Sequence, residues 1–256
     1  MIKIAHIADT HIRNLKYHYE YKIVFAQMYE TLKNEKVDYI VHCGDIAHTK
    51  TQISPEFVEM ASDFFAGLAE IAPTYIILGN HDGNLKNSSR QDAISPIIQA
   101  LNHPNLHLLK NSGETDIGDN VCLNVLSVFD EDNWVAPSDD SKINIALYHG
   151  AIWASKTDTG FSLTSGDHDV NIFNDFDYAM LGDIHQRQAL DTDETIWYAG
   201  STVQQNFGET DDKGILIWEI KNKTEKKIIP VVFKNPRPFI SWNIQLDASG
   251  NINTTG

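Results

Sequence analysis

The chain has 256 residues, of which 42% are hydrophobic and 10% aromatic, and 35 acidic against 20 basic residues give it a formal net charge of −15. This composition excludes a disordered or collagen-like chain, and the acidic balance argues against a protein that binds nucleic acid by its own electrostatic field alone. The two cysteines lack the spacing of a disulfide scaffold, and neither a signal peptide nor a membrane span is recognisable, so we expect a cytoplasmic protein without a membrane partner.

The first half of the chain alternates short apolar runs with helical periodicity. Strands are predicted over 2–8, 38–43 and 74–78, and helices over 18–34, from Ser54 onwards, and over 90–101. Ser54 is a suitable N-cap, and Pro55 suits the first helical turn. This order of elements predicts parallel strands joined by crossover helices.

The second half is richer in strands. Short β segments are predicted over 106–109, 121–128, 143–148, 177–181, 195–199, 214–220 and 227–233. The pattern predicts an α/β fold, a four-layer αββα sandwich of two mixed β-sheets flanked by helices. Residues 130–142 and 153–171 are predicted loops, and the second is long enough to be functional. A further strand is predicted over 239–246.

Polar side chains follow five of the predicted strands. The blocks are Asp9-Thr10-His11, Gly44-Asp45-Ile46-Ala47-His48, Gly79-Asn80-His81-Asp82, His149-Gly150 and Gly182-Asp183-Ile184-His185. Sites in α/β proteins form just beyond the carboxyl ends of strands. Carboxylate, amide and imidazole ligands suit Mn²⁺, Fe or Zn²⁺, and a carboxylate such as Asp45 can bridge two ions. Each block alone is also an ordinary turn, but the ordered set favours a two-metal site.

The same blocks resemble the calcineurin-like metallophosphoesterases. Within that family, the chain is most similar to the Mre/SbcD nucleases of double-strand-break processing. The similarity rests on the opening block His6–His11, on the position of His48 three residues after Asp45, and on the block Tyr198–Glu209. It covers about residues 1–235.

The resemblance implies roles for individual residues. One ion would be held by Asp9, His11, Asp45 and His185, and a second by Asp45, Asn80, His149 and Asp183. His81 would stabilise the transition state or protonate the leaving oxygen, and His48 would position the DNA backbone or assist that step. The family motif usually reads Gly-His-x-His, so Asp183 is a departure that puts the metal preference in question. Arg187 and Trp153 are further candidates for substrate contact; solvent exposure explains Arg187 equally simply, and plain packing explains Trp153 more simply.

The resemblance also implies a function. It indicates a Mn²⁺-dependent DNA nuclease subunit, a 3′–5′ exonuclease on duplex ends and an endonuclease on single strands, active in DNA recombination and repair. It further implies an SbcC-type coiled-coil ATPase partner, a homodimer and a nucleoid-associated location. Residues 1–235 would form the nuclease domain, and residues 236–256 the start of a truncated capping domain or a tail. The alternatives are a small-molecule phosphodiesterase or phosphatase and a metal-free scaffold.

Overall fold

The computed structural model describes residues 1–51, 53–87 and 90–241. Its twelve strands are, in chain order, β1 (Ile2–Ile7), β2 (Tyr39–Cys43), β3 (Thr74–Ile77), β4 (Leu106–Leu108), β5 (Gly113–Gly118), β6 (Val121–Leu126), β7 (Ile143–His149), β8 (Tyr178–Gly182), β9 (Gln188–Ala189), β10 (Ile196–Tyr198), β11 (Gly214–Ile220) and β12 (Lys226–Val232). They form two six-stranded sheets, in the orders β12-β11-β1-β2-β3-β4 and β5-β6-β7-β8-β10-β9.

Both sheets are mixed, with parallel strands at their centres. Strands β1 to β4 run parallel, and β11 joins β1 in the antiparallel sense. In the second sheet, β6, β7, β8 and β10 run parallel. The carboxyl ends of β1, β2 and β3 therefore lie along one edge of the first sheet, and those of β7 and β8 along one edge of the second.

Three helices cover the outer face of the first sheet: α1 (His18–Glu35), α2 (Pro55–Ala69) and α3 (Ser95–Leu101). Helix α2 begins as predicted, because the Ser54 hydroxyl accepts a hydrogen bond of 3.2 Å from the Phe57 amide and Pro55 occupies the first turn. Its buried stripe, including Phe57, Phe64 and Leu68, packs in the cluster that contains Ala5 of β1.

The faces of the two sheets meet in a second core. Alternate residues of β1 point to opposite faces, so Ile4 belongs to the core between the sheets whereas Ala5 faces the helices. The outer face of the second sheet is covered by two connecting segments, each with one short 3₁₀ helix: Glu131–Asn133 before β7 and Val170–Phe173 after it. The predicted α/β class and two mixed sheets with flanking helices are confirmed. The layer outside the second sheet contains short 3₁₀ helices in place of α-helices.

Several predicted boundaries differ from the structure. The helix predicted over 90–101 begins only at Ser95, because the Asp92 carboxylate accepts hydrogen bonds from the Ile94 and Ser95 amides and holds the preceding residues in a turn. Strands β5 and β9 were not predicted. Within the strand predicted over 239–246, residues 239–241 are not in a strand, and the rest lies outside the described residues. No helix in the described part of the chain is long and apolar enough to cross a membrane.

Candidate metal centre

The five strand-end blocks lie together at the carboxyl edges of both sheets. Each block leaves its strand through a tight turn, and four candidate ligands take left-handed backbone conformations. Their φ angles are 49° at Asp9, 45° at His11, 57° at Asp45 and 98° at Asp183. Such conformations cost free energy in residues other than glycine, and a cluster of them is typical of functional sites.

One half of the centre contains Asp9, His11 and His185, whose ligand atoms all lie within 4.8 Å of one another. The Nε2 atoms of His11 and His185 are 3.0 Å apart, and Asp9 Oδ1 lies 4.0 Å from His11 Nε2. The other ring nitrogen of His185, Nδ1, faces Glu209 Oε1 at 2.8 Å and donates to it, so Nε2 of the neutral ring carries a lone pair that points into the centre.

The Asp45 carboxylate lies between the two halves. Its Oδ2 is 3.5 Å from His11 Nε2, and its Oδ1 is 3.4 Å from His149 Nε2. Asp45 is almost completely buried, at 2% exposure. Its two oxygens therefore face opposite halves of the centre, the placement that a bridging carboxylate needs.

The other half contains His149, Asp183 and Asn80. His149 Nε2 lies 3.7 Å from Asp183 Oδ1, and the Asn80 amide nitrogen donates to the same oxygen at 3.4 Å. Asp183 thus points toward His149, where its carboxylate is available as a ligand. Its backbone amide also donates to Asp9 Oδ1 at 3.0 Å, which links the two halves.

Unpartnered buried atoms test whether these residues fit divalent ions. His149 Nδ1 donates to the Cys43 carbonyl oxygen at 2.7 Å, which leaves a lone pair on Nε2 of the neutral ring. That Nε2 is buried without a hydrogen-bond partner, as is Asn80 Oδ1. A lone pair that faces carboxylate oxygens is unfavourable unless a positive charge lies between them. The donor set therefore fits a cation.

The pKa shifts of the candidate ligands also indicate that the centre favours a positive charge. Burial would lower the pKa of His149, but the carboxylates of Asp45, Asp9 and Asp183 together outweigh it and raise that pKa well above its usual range. Burial would conversely raise the pKa of Asp45, yet His149 holds it well below its usual range. Burial raises the pKa of Asp9 to about 7 and lowers that of His11 to about 3. Positive charge is favoured beside Asp45, where a metal ion would supply it.

The two candidate catalytic histidines stand on the open side of the centre. His81 is exposed, and its ring lies 4.9 Å from the His11 ring. His81 Nδ1 donates to the His48 carbonyl oxygen at 2.6 Å, and the His81 amide donates to Asp45 Oδ1 at 2.8 Å. These bonds fix the ring and leave Nε2 free to exchange a proton with a bound substrate.

Asp82 holds the turns that carry the ligands, a role that the sequence analysis did not assign. Its carboxylate is completely buried and accepts hydrogen bonds of 2.8 to 2.9 Å from the amides of Asp45, Ile46, Ala47 and Gly79. One side chain thereby ties the block after β3 to the block after β2. Its position directly after Asn80 and His81 was the signal available in the sequence.

Glu209 and Lys213 were also missed as members of the site. Lys213 is buried, and its ammonium lies 2.7 Å from Asp158 and 3.3 Å from Glu209. It also donates to the His185 carbonyl oxygen at 3.0 Å. The network joins His185 to the loop that contains Asp158. Glu209 closes the block Tyr198–Glu209, which was the available signal.

Glycines allow the close packing of the centre. A Cβ at Gly44, where φ is 84°, would lie 2.6 Å from His149 Nδ1, and one at Gly182 would lie 2.8 Å from the same atom. At Gly79, a Cβ would overlap the Asp45 carboxylate. These glycines therefore leave the space in which the ligand side chains meet.

The two candidate substrate residues are engaged elsewhere. Arg187 is largely buried and pairs with Asp212 at 3.3 Å. Trp153 is 54% exposed, and its indole nitrogen donates to the Thr164 carbonyl oxygen at 2.9 Å. Their roles in substrate binding stay predictions.

The family is shown by comparison with known proteins. The model of the calcineurin-like phosphoesterase family matches residues 2–187. The chain therefore belongs to the calcineurin-like phosphoesterases. This family places it among the metal-dependent phosphoester hydrolases, and the clustered Asp and His side chains provide candidate ligands for divalent ions.

Individual related proteins share between about a quarter and about two fifths of their aligned residues with this chain. Over 240 residues the chain is 41% identical to uncharacterized protein R555 of Acanthamoeba polyphaga mimivirus, a match that covers 88% of this chain and 18% of that protein. The chain thus spans less than a fifth of that viral relative. It is 26% identical over 261 residues to the SbcD nuclease subunit of Staphylococcus saprophyticus, covering 90% of this chain and 69% of that one.

Among solved structures, a dimetal phosphatase from Danio rerio matches with a TM-score of 0.50 and 10% identity, covering 91% of this chain and 99% of that chain. At this identity the likeness shows the fold alone.

Proposed function

We propose that this chain is the catalytic core of a Mn²⁺-dependent DNA nuclease with 3′–5′ exonuclease activity on duplex ends and endonuclease activity on single strands, acting in DNA recombination and repair. The observation that carries the proposal is the placement of His81 and His48 over the open side of a largely buried cluster of seven candidate ligands. These are Asp9, His11, Asp45, Asn80, His149, Asp183 and His185.

The ligand roles divide between two ions. Asp9, His11 and His185 would hold the first ion, and Asn80, His149 and Asp183 the second, with Asp45 shared. When bound, divalent ions supply positive charge and Lewis acidity toward a phosphate group. The mixed carboxylate, amide and imidazole set suits Mn²⁺ better than a thiolate site would.

The chain's own residues would then orient the phosphodiester and move its protons. A substrate phosphate over the centre would lie against the exposed His81 ring, whose Nδ1 is already committed to the His48 carbonyl oxygen. Nε2 of the protonated ring would donate a hydrogen bond to a phosphoryl oxygen and pass its proton to the leaving oxygen. A positioned acid of this kind contributes about 10²- to 10⁴-fold to rate.

The DNA substrate and the ATPase partner are proposed from the Staphylococcus relatives. Two of them are named as the SbcD part of the nuclease SbcCD, and each is 26% identical to this chain. A protein named as one component of a complex has a companion, so we propose an SbcC-type coiled-coil ATPase as the partner. We also propose that residues 1–235 form the nuclease domain.

The homodimer is proposed from the surface of α2 and α3. Val58 on α2 is 38% exposed. It borders an apolar groove of about 350 Å³ that also contains Ala93, Pro96 and Ile97. A second copy would cover this face, and light scattering on the purified protein measures the resulting mass.

Cleavage assays test the function. We expect Mn²⁺ to support cleavage of end-labelled duplex DNA and of circular single-stranded DNA, and Mg²⁺ to support much less. Bis(p-nitrophenyl) phosphate serves as a small diester control. Turnover of that diester with intact DNA would favour the small-molecule phosphodiesterase instead. An inert protein that binds no ion would favour the scaffold.

A further inference from the structure

A cleft of about 540 Å³ adjoins the candidate metal centre on the side of His48. Its walls come from the turn after β1, which carries Arg13, Lys16 and Tyr17, and from the segment that leads into α2, which carries Thr51. The His48 ring lies 5.8 Å from the His11 ring, so the cleft begins where the metal centre ends. Its volume lies within the range of clefts that bind small ligands, about 300 to 1,000 Å³.

The charge of this cleft is opposite to that of the chain. No described residue that lines it is acidic, although the chain has 35 acidic and 20 basic residues. A smaller cavity of about 250 Å³ borders the same centre at His185 and contains the carboxylates of Asp158, Asp183 and Glu209. A polyanion that reaches the centre would be attracted by the first cavity and repelled by the second.

Arg13 and Lys16 bring positive charge that the chain does not neutralise. Arg13 is buried, and its Nε donates to the Gln205 side-chain oxygen at 2.8 Å. The guanidinium carbon lies 4.6 Å from the centre of the Tyr17 ring, and Lys16 Nζ lies 4.7 Å from the same point. Neither cation pairs with a carboxylate among the residues that the structure describes. The Arg13 guanidinium also donates to the backbone carbonyl oxygens of Gln204 and Gln205, which satisfy its donors without removing its charge. The cleft therefore keeps a positive potential that attracts an anion.

We propose that this cleft is a strand-binding subsite, which holds the phosphate and nucleoside next to the phosphodiester bond at the metal centre in a single-stranded polynucleotide. Lys16, exposed at the rim, contacts the neighbouring phosphate. The buried Arg13 attracts the same phosphate electrostatically without touching it. Tyr17 and the exposed Ile53 give the walls apolar surface for the nucleoside. The inference rests on the proposed function, because it assigns a polynucleotide to that same centre.

Fluorescence anisotropy with a labelled ten-residue oligothymidylate tests the subsite. Binding is measured in EDTA, so that cleavage does not interfere. We expect Lys16→Ala to weaken binding about fivefold to tenfold, since an exposed charge-assisted contact contributes less than a buried one. The slope of log K against log salt should fall by about 1, as for the loss of one phosphate contact. Thr51→Glu, which places a carboxylate in the cleft, should weaken binding further.

Lys33→Ala is the matched control, because it removes the same charge from the exposed far end of α1 and should leave binding unchanged. Equal affinities for Lys16→Ala and Lys33→Ala, or no measurable binding by the unaltered chain, would overturn the subsite. Cleavage of the same oligonucleotide by the unaltered chain with Mn²⁺ is measured separately. Binding that depends on Lys16 without any cleavage would support the subsite and refute the nuclease.

Discussion

Glu209 Oε1 accepts a hydrogen bond of 2.8 Å from His185 Nδ1. The hydrogen bond of His185 and the nearby Lys213 charge outweigh the effect of burial and lower the pKa of Glu209 to about 2, so it is an anion at neutral pH. An anionic partner at Nδ1 fixes the tautomer of the ring and makes Nε2 a stronger ligand.

The substitution Glu209→Gln should therefore weaken binding of the first ion. Loss of such a partner reduces metal affinity by about 10- to 100-fold. Titration calorimetry with Mn²⁺ measures the change. Glu225→Gln is the control, since Glu225 belongs to an exposed ion pair with Lys221. Equal Mn²⁺ affinity in both variants would contradict the role of Glu209.

His81→Asn should abolish most phosphodiesterase activity while leaving the fold and the ions in place. The loss should be about 10²- to 10⁴-fold, because the asparagine cannot donate a proton to the leaving oxygen. Rates on an end-labelled single-stranded oligonucleotide, whose alkoxide leaving group needs a proton, together with metal content, give the measurement. His103→Asn provides a control at a distant site, near Glu70. Undiminished turnover by His81→Asn would exclude it as the acid.

Asp45→Ala should lower the occupancy of both ions as well as activity, because its two oxygens face His11 and His149 in opposite halves of the centre. Elemental analysis after dialysis against Mn²⁺ counts the ions per chain. Asp116→Ala is the control, as it removes a carboxylate from an exposed pair with Lys142. If Asp45→Ala retained two ions, the bridging role would be wrong.

Buried histidines should make the fold sensitive to acid. Burial lowers the pKa of His6 and of His42 to about 3 from a usual value of 6.5. The folded state thus favours the neutral rings. Their contribution to stability is complete above pH 6.5 and is lost as the pH falls toward 3. Between pH 6.5 and 5 each ring should reduce the free energy of unfolding by about 2 kcal/mol.

Chemical denaturation in EDTA at several pH values measures this loss. His6→Gln should reduce the steepness of the decline below pH 6.5, since one of the two rings no longer titrates. The same variant need not match the unaltered chain in stability at pH 7, so the slope is the decisive quantity. A slope identical to that of the unaltered chain would rule out His6 as a contributor.

Much of the fold and of the candidate site could be predicted from local patterns in the sequence. The apolar runs that end in polar blocks predicted β1, β2, β3, β7 and β8, and those blocks meet because parallel strands align their carboxyl ends. The start of α2 was predictable because Ser54 and Pro55 act within one turn. These features depend on neighbours in sequence, which periodicity and capping rules describe.

Other features depend on distant partners. Strand β5 contains the largely polar sequence Gly-Glu-Thr-Asp-Ile-Gly and exists because it pairs with β6. Strand β9 has two residues and is held by β10. The link from Lys213 to Asp158 joins residues 55 positions apart. A local sequence pattern cannot indicate contacts between residues that are far apart in the chain, so the sequence analysis assigned no role to Lys213 or Glu209.

The left-handed conformations at Asp9, His11, Asp45 and Asp183 place the side chains needed for activity at positions where the backbone conformation lowers the stability of the fold. Glycine adopts this region of backbone space at little cost, whereas other residues lose about 1 kcal/mol there. The chain therefore keeps its ligands where a glycine would relax the backbone. A single substitution to glycine at one of these positions would remove a ligand and relieve the strained backbone at the same time. Selection for heat resistance alone would therefore favour loss of the metal centre.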